Sequence, residues 1–182
     1  MATPPDFTTG AVLTAAQMNG VGLWKIAETS FTNAANPFIN GCFSSDFQNY
    51  LVQVVSIGSG NGDLFFRMRS GVSTPETGFV YDRYGFSWGT SASNLVSPNL
   101  VAGLISDVGN ASNSRAVSSL TFYAPNEAAH TTTNSHGWGN NSGSVFFPTH
   151  RIETTTAYTG IELTTLSAVT ISGTMRVYGY RN

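Results

Sequence analysis

Stretches with strand character alternate with turn residues about every 8 to 15 positions, which is the rhythm of an all-β protein. No helical pattern separates these stretches, so the strands are predicted to pair antiparallel. Short strands at this spacing predict an antiparallel two-sheet β-sandwich with jelly-roll-like connections. The predicted strands are Asn49–Ile57, Leu64–Arg69, Gly78–Trp88, Asn99–Ser106, Ala116–Ala124, Ser144–Glu153, Gly160–Leu166 and Gly173–Arg181.

Three features predict how these strands are connected. The pair Asn61-Gly62 favours a tight turn, so we expect the first two strands to form a β-hairpin. Pro148 cannot donate a backbone hydrogen bond, so we expect its strand to lie at an edge or a corner. The segment Asn126–Gly143 is polar, and it is predicted to be a long loop that forms either a flexible tip or a contact surface.

One segment before the first strand has helical character. Thr14 can cap a short helix over Ala15–Met18, and Asn19-Gly20 can end it. A helix this short is unstable alone in water, so we expect it to dock on another surface. The sequence predicts a short N-terminal arm, helical or extended, over residues 1–26 and a β-sandwich domain over residues 27–182. The residues expected to anchor the arm are Phe7, Leu13, Met18, Val21, Leu23 and Trp24.

The protein surface is expected to be poor in charge. Charged residues make up 10% of the chain, against roughly a quarter in a typical soluble domain. Such an exterior suits packing against copies of the same protein, because unpaired charges are costly to bury. The net charge of −2 gives no basic face for nucleic acid. No run approaches the ~20 apolar residues of a membrane span, so neither nucleic acid nor membrane is an expected partner.

Residues capable of catalysis or metal binding form no recognisable pattern. There is no H-E-x-x-H or P-loop motif, and the histidines lack acidic or Cys partners at ligand spacing. A glycan hydrolase needs two carboxyl groups within roughly 5 to 10 Å. Glu153 and Glu162 could face each other across a hairpin, but salt bridges with Arg151 or Arg176 are the simpler expectation. The sequence therefore predicts no enzyme, no cofactor and no metal site, and Cys42 is expected to be a small buried residue.

Aromatic residues near the predicted loops are candidate sugar contacts, because the apolar face of a sugar ring stacks on an aromatic face. Tyr81, Tyr84 and Trp88 are more simply read as core or subunit-contact residues. Trp138 stands between two glycines in the long polar segment and is the best candidate for an exposed contact. The candidate glycan contacts are His136, Trp138 and Asn140.

Three stretches resemble proteins on the surface of tailed-bacteriophage virions. "FTTGAVLTAAQMNGV" (Phe7–Val21) resembles the N-terminal segment of tail-fibre and appendage proteins. "CFSSDFQNYLVQVVSIGSGNGDLFFRMRSG" (Cys42–Gly71) and "ISGTMRVYGYRN" (Ile171–Asn182) resemble a β-sandwich module of the same class. The resemblance implies a structural protein, usually a homotrimer, exposed on the particle. The segment from about Thr74 to Thr170 carries no such resemblance.

Two positions on the virion fit this resemblance. The sequence has no heptad, collagen-like or β-helix repeat that would form a shaft, which favours a capsid decoration (cement) protein. The alternative is a short tail-fibre or tailspike knob that binds host surface glycans. The expected partners are copies of itself, the major capsid protein or tail proteins, and in the alternative a host glycan. No signal peptide is present, so we expect synthesis in the host cytoplasm and a final location on the outer virion surface.

Overall fold

The structure, a computed structural model, describes residues 22–71, 74–76, 78, 80–88, 92–94, 96–109, 115–139 and 144–180. These residues are all-β, as predicted, and form two antiparallel sheets packed as a sandwich. No helix with the length and apolar character of a membrane span occurs among them. The strands are β1 (Trp24–Ala34), β2 (Phe38–Ile39), β3 (Asn49–Gly58), β4 (Asp63–Ser70), β5 (Thr74–Pro75), β6 (Tyr81–Trp88), β7 (Ala92–Asn94), β8 (Ser97–Leu100), β9 (Gly103–Asp107), β10 (Ala116–Tyr123), β11 (Thr131–Gly139), β12 (Ser144–Ile152), β13 (Gly160–Thr164) and β14 (Ile171–Tyr180).

The two sheets differ in size. In the described residues the large sheet has nine strands in the order β1-β14-β3-β10-β11-β12-β6-β7, with β8 also paired to β6. The small sheet has five strands in the order β2-β13-β4-β5, with β9 also paired to β4. The small sheet packs against one face of the large sheet, and among the described residues the other face of the large sheet is exposed.

The core lies between the sheets and follows from strand alternation, since successive side chains point to opposite faces. Val52 and Val54 of the large sheet face Leu64 and Phe66 of the small sheet, and all four are essentially inaccessible to solvent. Burying a side chain of this kind contributes roughly 1.5 to 3 kcal/mol. The alternate residues of β3 point away from the core, which gives the strand its inward and outward sides.

All eight predicted strands have counterparts, but the predicted hairpin is wrong. β3 pairs with β14 and β10 in the large sheet, while β4 pairs with β13 and β9 in the small sheet. Both edges of β3 are thus occupied, so β4 crosses to the other sheet. The connection is held by backbone hydrogen bonds from Gly58 to Gly109 (2.5 Å) and from Val108 to Gly62 (2.8 Å).

The predicted fourth strand is split, and the predicted place of Pro148 is wrong. Residues 99–106 contribute to β8 in the large sheet and to β9 in the small sheet. Pro148 lies in β12, an inner strand between β11 and β6. The ladder between β11 and β12 is interrupted next to Pro148, and the Ser135 hydroxyl donates a hydrogen bond to the Pro148 carbonyl (3.2 Å). This gap accommodates the missing backbone donor.

The predicted domain boundary also lies too late in the chain. β1 begins at Trp24 and pairs with β14, so residues 24–26 belong to the sandwich and not to an arm. The predicted helix over residues 15–18 lies outside the described residues.

Candidate functional site: the outer face of the large sheet

The face of the large sheet that points away from the core carries an unusual share of exposed apolar side chains. Of the eleven large hydrophobic residues exposed in the described part of the chain, seven lie on this face. Strand alternation places them there, because their neighbours along each strand point into the core or towards β9. These residues are Tyr84, Phe86, Trp88, Val117, Tyr123, Trp138 and Phe147.

Four of these residues form what we call the aromatic strip: Tyr84, Phe86 and Trp88 of β6 and Phe147 of β12. The rings of Phe86 and Phe147 are stacked with their centroids 5.0 Å apart, and the two residues are cross-strand partners. Trp88 is 59% exposed. Exposed aromatic side chains grouped in this way are typical of interaction surfaces.

His136 and Trp138 do lie on the surface, but the prediction that they belong to a loop is wrong. Both are outward-facing residues of β11, and Trp138 is 47% exposed. The His136 ring packs against Phe147 with centroids 5.4 Å apart. His136 therefore lies at the margin of the aromatic strip. Asn140, the third candidate glycan contact, lies outside the described residues.

The glycines beside Trp138 have a packing role. Gly137 and Gly139 point inwards, where β9 of the small sheet runs against β11. A Cβ atom on Gly137 would lie 2.5 Å from the Ser106 Cβ and 2.8 Å from the Ile105 carbonyl oxygen. The sequence Gly137-Trp138-Gly139 is thus part of a strand. Its two glycines let β9 approach closely on the inner side, and the Trp138 ring is exposed on the outer side.

Two adjacent cavities lie beside the strip on the same face, towards β1. The first has a volume of about 240 Å³, and the groups at its wall include Gln53, Ser119, His136 and Arg176, with Val117 beside them. The second has a volume of about 320 Å³ and is lined mainly by hydroxyl-bearing residues together with Arg115. The hydroxyl-bearing residues are Ser30, Thr32, Ser56, Ser172 and Thr174. Val55 lines both cavities.

The register of the large sheet brings the polar groups of the first cavity into one row. Arg176 is the cross-strand partner of Gln53, Gln53 of Ser119, and Ser119 of His136. These residues come from β14, β3, β10 and β11, so no local sequence motif contains them. Because only strand pairing joins these residues, His136 was the one residue of this row predicted from the sequence as a contact.

An ion network holds Arg176 at the end of the row. Its Nη2 donates to the Glu28 Oε1 (3.1 Å), and the Lys25 Nζ donates to the Glu28 Oε2 (3.0 Å). The hydrogen bond from Lys25, followed by the one from Arg176, lowers the pKa of the Glu28 carboxyl. One carboxylate therefore serves two cations, and the network keeps a net positive charge.

The predicted carboxylate pair is not brought together. Glu162 lies in the small sheet and is ion-paired with Arg69 (2.5 Å) and Arg67 (3.9 Å). Glu153 follows β12 and is ion-paired with Arg151. The expectation of salt bridges with Arg151 or Arg176 is confirmed for Glu153, which pairs with Arg151, but is wrong for Glu162, whose partners are Arg69 and Arg67.

A different pair of carboxyl groups meets at the edge between β4 and β9. Asp63 and Asp107 are cross-strand partners, and the Asp63 carboxyl forms a side-chain hydrogen bond with that of Asp107. Asp63 is exposed at the start of β4, but partial desolvation of its carboxyl, followed by this hydrogen bond, raises its pKa to about 6. The two groups are far closer than the roughly 5 to 10 Å of glycosidase carboxyls. No cluster of three or more His, Cys, Asp or Glu that could hold a metal occurs in the described ranges.

Ser87 and Cys42 are two further residues whose side chains can act as nucleophiles. Residues 85–89 read Gly-Phe-Ser-Trp-Gly, which matches the G-x-S-x-G pattern of a nucleophile elbow and was missed in the sequence analysis. That motif requires a strand-to-helix turn, whereas Ser87 lies inside β6 between two paired strands. Cys42 is buried as expected, and burial raises the pKa of its thiol to about 12.

The predicted anchoring residues fall in two groups. Phe7, Leu13, Met18 and Val21 lie outside the described residues, and their role stays a prediction. Leu23 is exposed just before β1. Trp24 is the first residue of β1 and packs, partly buried, against the core of its own sandwich, so its assignment to an arm is corrected.

Comparison with known proteins identifies no family. No family model and no curated protein matches the chain. Among solved structures it is similar to a seed lectin of Lotus tetragonolobus at 9% identity, over 90% of this chain and 81% of the lectin, with a TM-score of 0.22. It is similar to a protein of unknown function from Shewanella oneidensis MR-1 at 10% identity, over 94% of this chain and 97% of that one, with a TM-score of 0.16. At such TM-scores neither likeness bears on function.

Proposed function

We propose that this chain is a surface protein of a tailed-bacteriophage virion, a capsid decoration (cement) protein that forms trimers and has no catalytic role. The observation that carries this proposal is the layout of the chain. Residues from Trp24 to Tyr180, as far as they are described, form one sandwich, and residues 1–23 precede an edge strand of its large sheet. A leading segment joined to one compact head suits a protein that attaches to a particle and projects from it.

The remaining support comes from the sequence. Phe7–Val21 and Ile171–Asn182 resemble segments of phage virion proteins. We assign the anchoring role to residues 1–23. We also propose that the sandwich is a jelly-roll variant in which the consecutive strands β10, β11 and β12 lie side by side in the large sheet. The major capsid protein is the proposed partner of the leading segment.

The experiment is a deletion of residues 1–22, which stops short of β1. We expect the shortened chain to fold and to stay soluble, but to be absent from purified particles made in its presence. A chain truncated at residue 180 is the matched control and should still be incorporated. Incorporation of the shortened chain at the level of the full chain would overturn the anchoring role.

The alternative position, a tail-fibre or tailspike knob, is favoured by a separate observation. The outer face combines exposed aromatic rings with two cavities lined by hydroxyl, amide and guanidinium groups, a combination that suits glycan binding. Antibody labelling of intact particles separates the two positions. Label spread over the head is expected for decoration, and label confined to the tail would establish the alternative.

A further inference from the structure

The two cavities on the outer face share chemical features that no single residue would indicate. Each contains one arginine, Arg176 in the first and Arg115 in the second, and the described lining of neither includes a carboxylate. The other polar groups are hydroxyls, one amide and one imidazole, which can both donate and accept hydrogen bonds. Such groups match a ligand that carries many hydroxyls and a negative charge.

The charge balance around the first cavity supports an anionic ligand. Glu28 accepts from Arg176 with one oxygen and from Lys25 with the other, so a single negative charge faces two positive ones. A guanidinium group has five N–H donors, and Glu28 engages Nη2, so donors are left for a second carboxylate. In the second cavity, the described part of the chain gives Arg115 no carboxylate partner.

The size of the cavities and their apolar border further restrict which ligands fit. Their volumes of about 240 and 320 Å³ lie on either side of the lower limit of pockets for drug-sized molecules, roughly 300 Å³. Each is thus suited to one small ring, and the shared wall at Val55 suits a ligand made of linked rings. Val117, 55% exposed, and its cross-strand partner Trp138 supply an apolar border for the C–H face of a ring.

We infer that these two cavities bind neighbouring sugar rings of an acidic oligosaccharide. Arg176 and Arg115 would each engage a sugar carboxylate, Gln53 and Ser119 would bind ring hydroxyls, and Trp138 would stack on an adjacent ring. As a biological role, this inference rests on the proposed function, because it requires the face to point outwards from a virion. The binding chemistry itself does not depend on attachment to a particle.

The test measures binding of the isolated full chain by titration calorimetry. The probes are uronic-acid and sialic-acid oligosaccharides of two to four rings, each paired with its methyl ester, which removes the negative charge and keeps the rings. We expect at least one acid to bind, and its ester to bind at least about tenfold more weakly, because a hydrogen bond to a charged group contributes more than a neutral one. Arg176→Gln and Arg115→Gln should each weaken binding of the acid by about tenfold or more.

Arg151→Gln is the matched control, because Arg151 lies on the same face but its ion pairs are with Asp82 and Glu153, outside both cavities. It should bind the acid as the unaltered chain does. Absence of binding by every acid, equal binding of acid and ester, or equal losses in all three variants would each overturn the inference. Incorporation into particles is measured separately. If the proposed function is wrong, the unaltered chain will not be incorporated into particles. If it is right, Arg176→Gln and Arg115→Gln should be incorporated as the unaltered chain is.

Discussion

His150 is a buried titratable residue whose surroundings affect the stability of the sandwich. It is fully buried in β12, its ring packs edge-on against Phe66, and neither ring nitrogen has a hydrogen-bond partner among the described residues. Burial, followed by the nearby charge of Arg83, lowers the pKa of His150 to about 3. The folded protein therefore holds a neutral imidazole over the whole physiological range.

This setting makes the protein sensitive to acid. Above pH 6.5 the imidazole is neutral in both states, and its contribution to the free energy of unfolding is complete. As the pH falls from 6.5 towards 3, the unfolded chain binds a proton that the folded protein excludes, so the free energy of unfolding decreases. His150→Gln and His150→Phe should remove this decrease, and urea unfolding between pH 7 and pH 4 measures it. A pH slope unchanged in both variants would contradict the prediction.

The pKa of Asp63 changes the free energy of unfolding with pH in the opposite direction, so its effect must be measured separately from that of His150. Its pKa is raised from 3.8 to about 6, so between these values the folded protein keeps a proton that the unfolded chain has lost. The free energy of unfolding therefore rises as the pH falls through this window. Asp63→Asn should abolish that rise and gain stability, relative to the parent chain, on going from pH 5 to pH 7. If the difference between Asp63→Asn and the parent chain is independent of pH, the Asp63–Asp107 contact is not formed as described.

Gly137 tests the close approach of β9 to β11. A Cβ atom at Gly137 would meet the backbone oxygen of Ile105 at 2.8 Å, and backbone cannot move aside as a flexible side chain can. Overpacking of this kind costs roughly 1 to 3 kcal/mol, so Gly137→Ala should lower the midpoint of urea unfolding accordingly. Gly60→Ala is the control, because its nearest contact would be Val169 at 3.8 Å. Equal effects of the two substitutions would show that the approach is not close.

At the scale of elements, β1 covers one edge of the large sheet. It pairs with β14 along most of its length, and Trp24, Ile26 and Phe31 pack against the core. Removing residues 1–34 would expose the edge of β14 and leave part of its apolar packing uncovered. An uncovered edge of this kind promotes association with other chains.

Two deletions measure the contribution of β1. The chain lacking residues 1–34 should unfold at a clearly lower temperature than the chain lacking residues 1–22, and it should aggregate at lower concentration. Thermal unfolding followed by circular dichroism, with light scattering, reports both effects. If the two shortened chains are equally stable, β1 is not part of the folded unit.

The elements also show why strands could be predicted from the sequence and their pairing could not. In β3 and β4, alternation of apolar residues marks an inward side, and this pattern is the same whether the next strand lies in the same sheet or in the opposite one. β11 has no such alternation, because its inward residues are Thr131, Thr133, Ser135 and two glycines that lie against β9. Only the contact with a strand distant in sequence explains these small residues, so a loop was the natural prediction.

The same limit applies to the candidate site. Trp138 could be found from the sequence, because an aromatic residue between glycines stands out. Gln53, Ser119 and Arg176 could not, because each is an ordinary polar residue of a different strand and only the register joins them. Arg176 in particular was considered only as a salt-bridge partner for acidic residues.

At the scale of the whole molecule, the aromatic strip lies beside the first cavity, on the side of the outer face that leads to β7 and β8. It borders β7 and β8, which lie at the edge of the large sheet. Only 10% of the residues of this chain are charged, so association along this strip would bury few charges. We therefore expect the strip to form the contact between copies in the proposed trimer and the cavities to stay open.

This expectation is tested by Phe86→Ser combined with Trp88→Ser. Aromatic residues at the centre of an interface commonly contribute about 2 kcal/mol or more each, so the double substitution should weaken association by roughly 100-fold or more. Sedimentation velocity at micromolar concentration should then show monomers where the unaltered chain forms trimers. The double substitution also removes the stacking of Phe86 on Phe147, so the free energy of unfolding of the monomer should fall by no more than about 0.5 to 1.5 kcal/mol.

Tyr123→Ser is the control for the strip, since Tyr123 is exposed on the same face but lies in β10, outside the strip. It should leave the trimer intact. A double variant that remains trimeric would place the contact elsewhere, and an unaltered chain that is monomeric at these concentrations would remove the trimer from the proposed function. Neither result would affect the proposed binding of an acidic oligosaccharide by Arg176 and Arg115, because the described lining of both cavities comes from one chain.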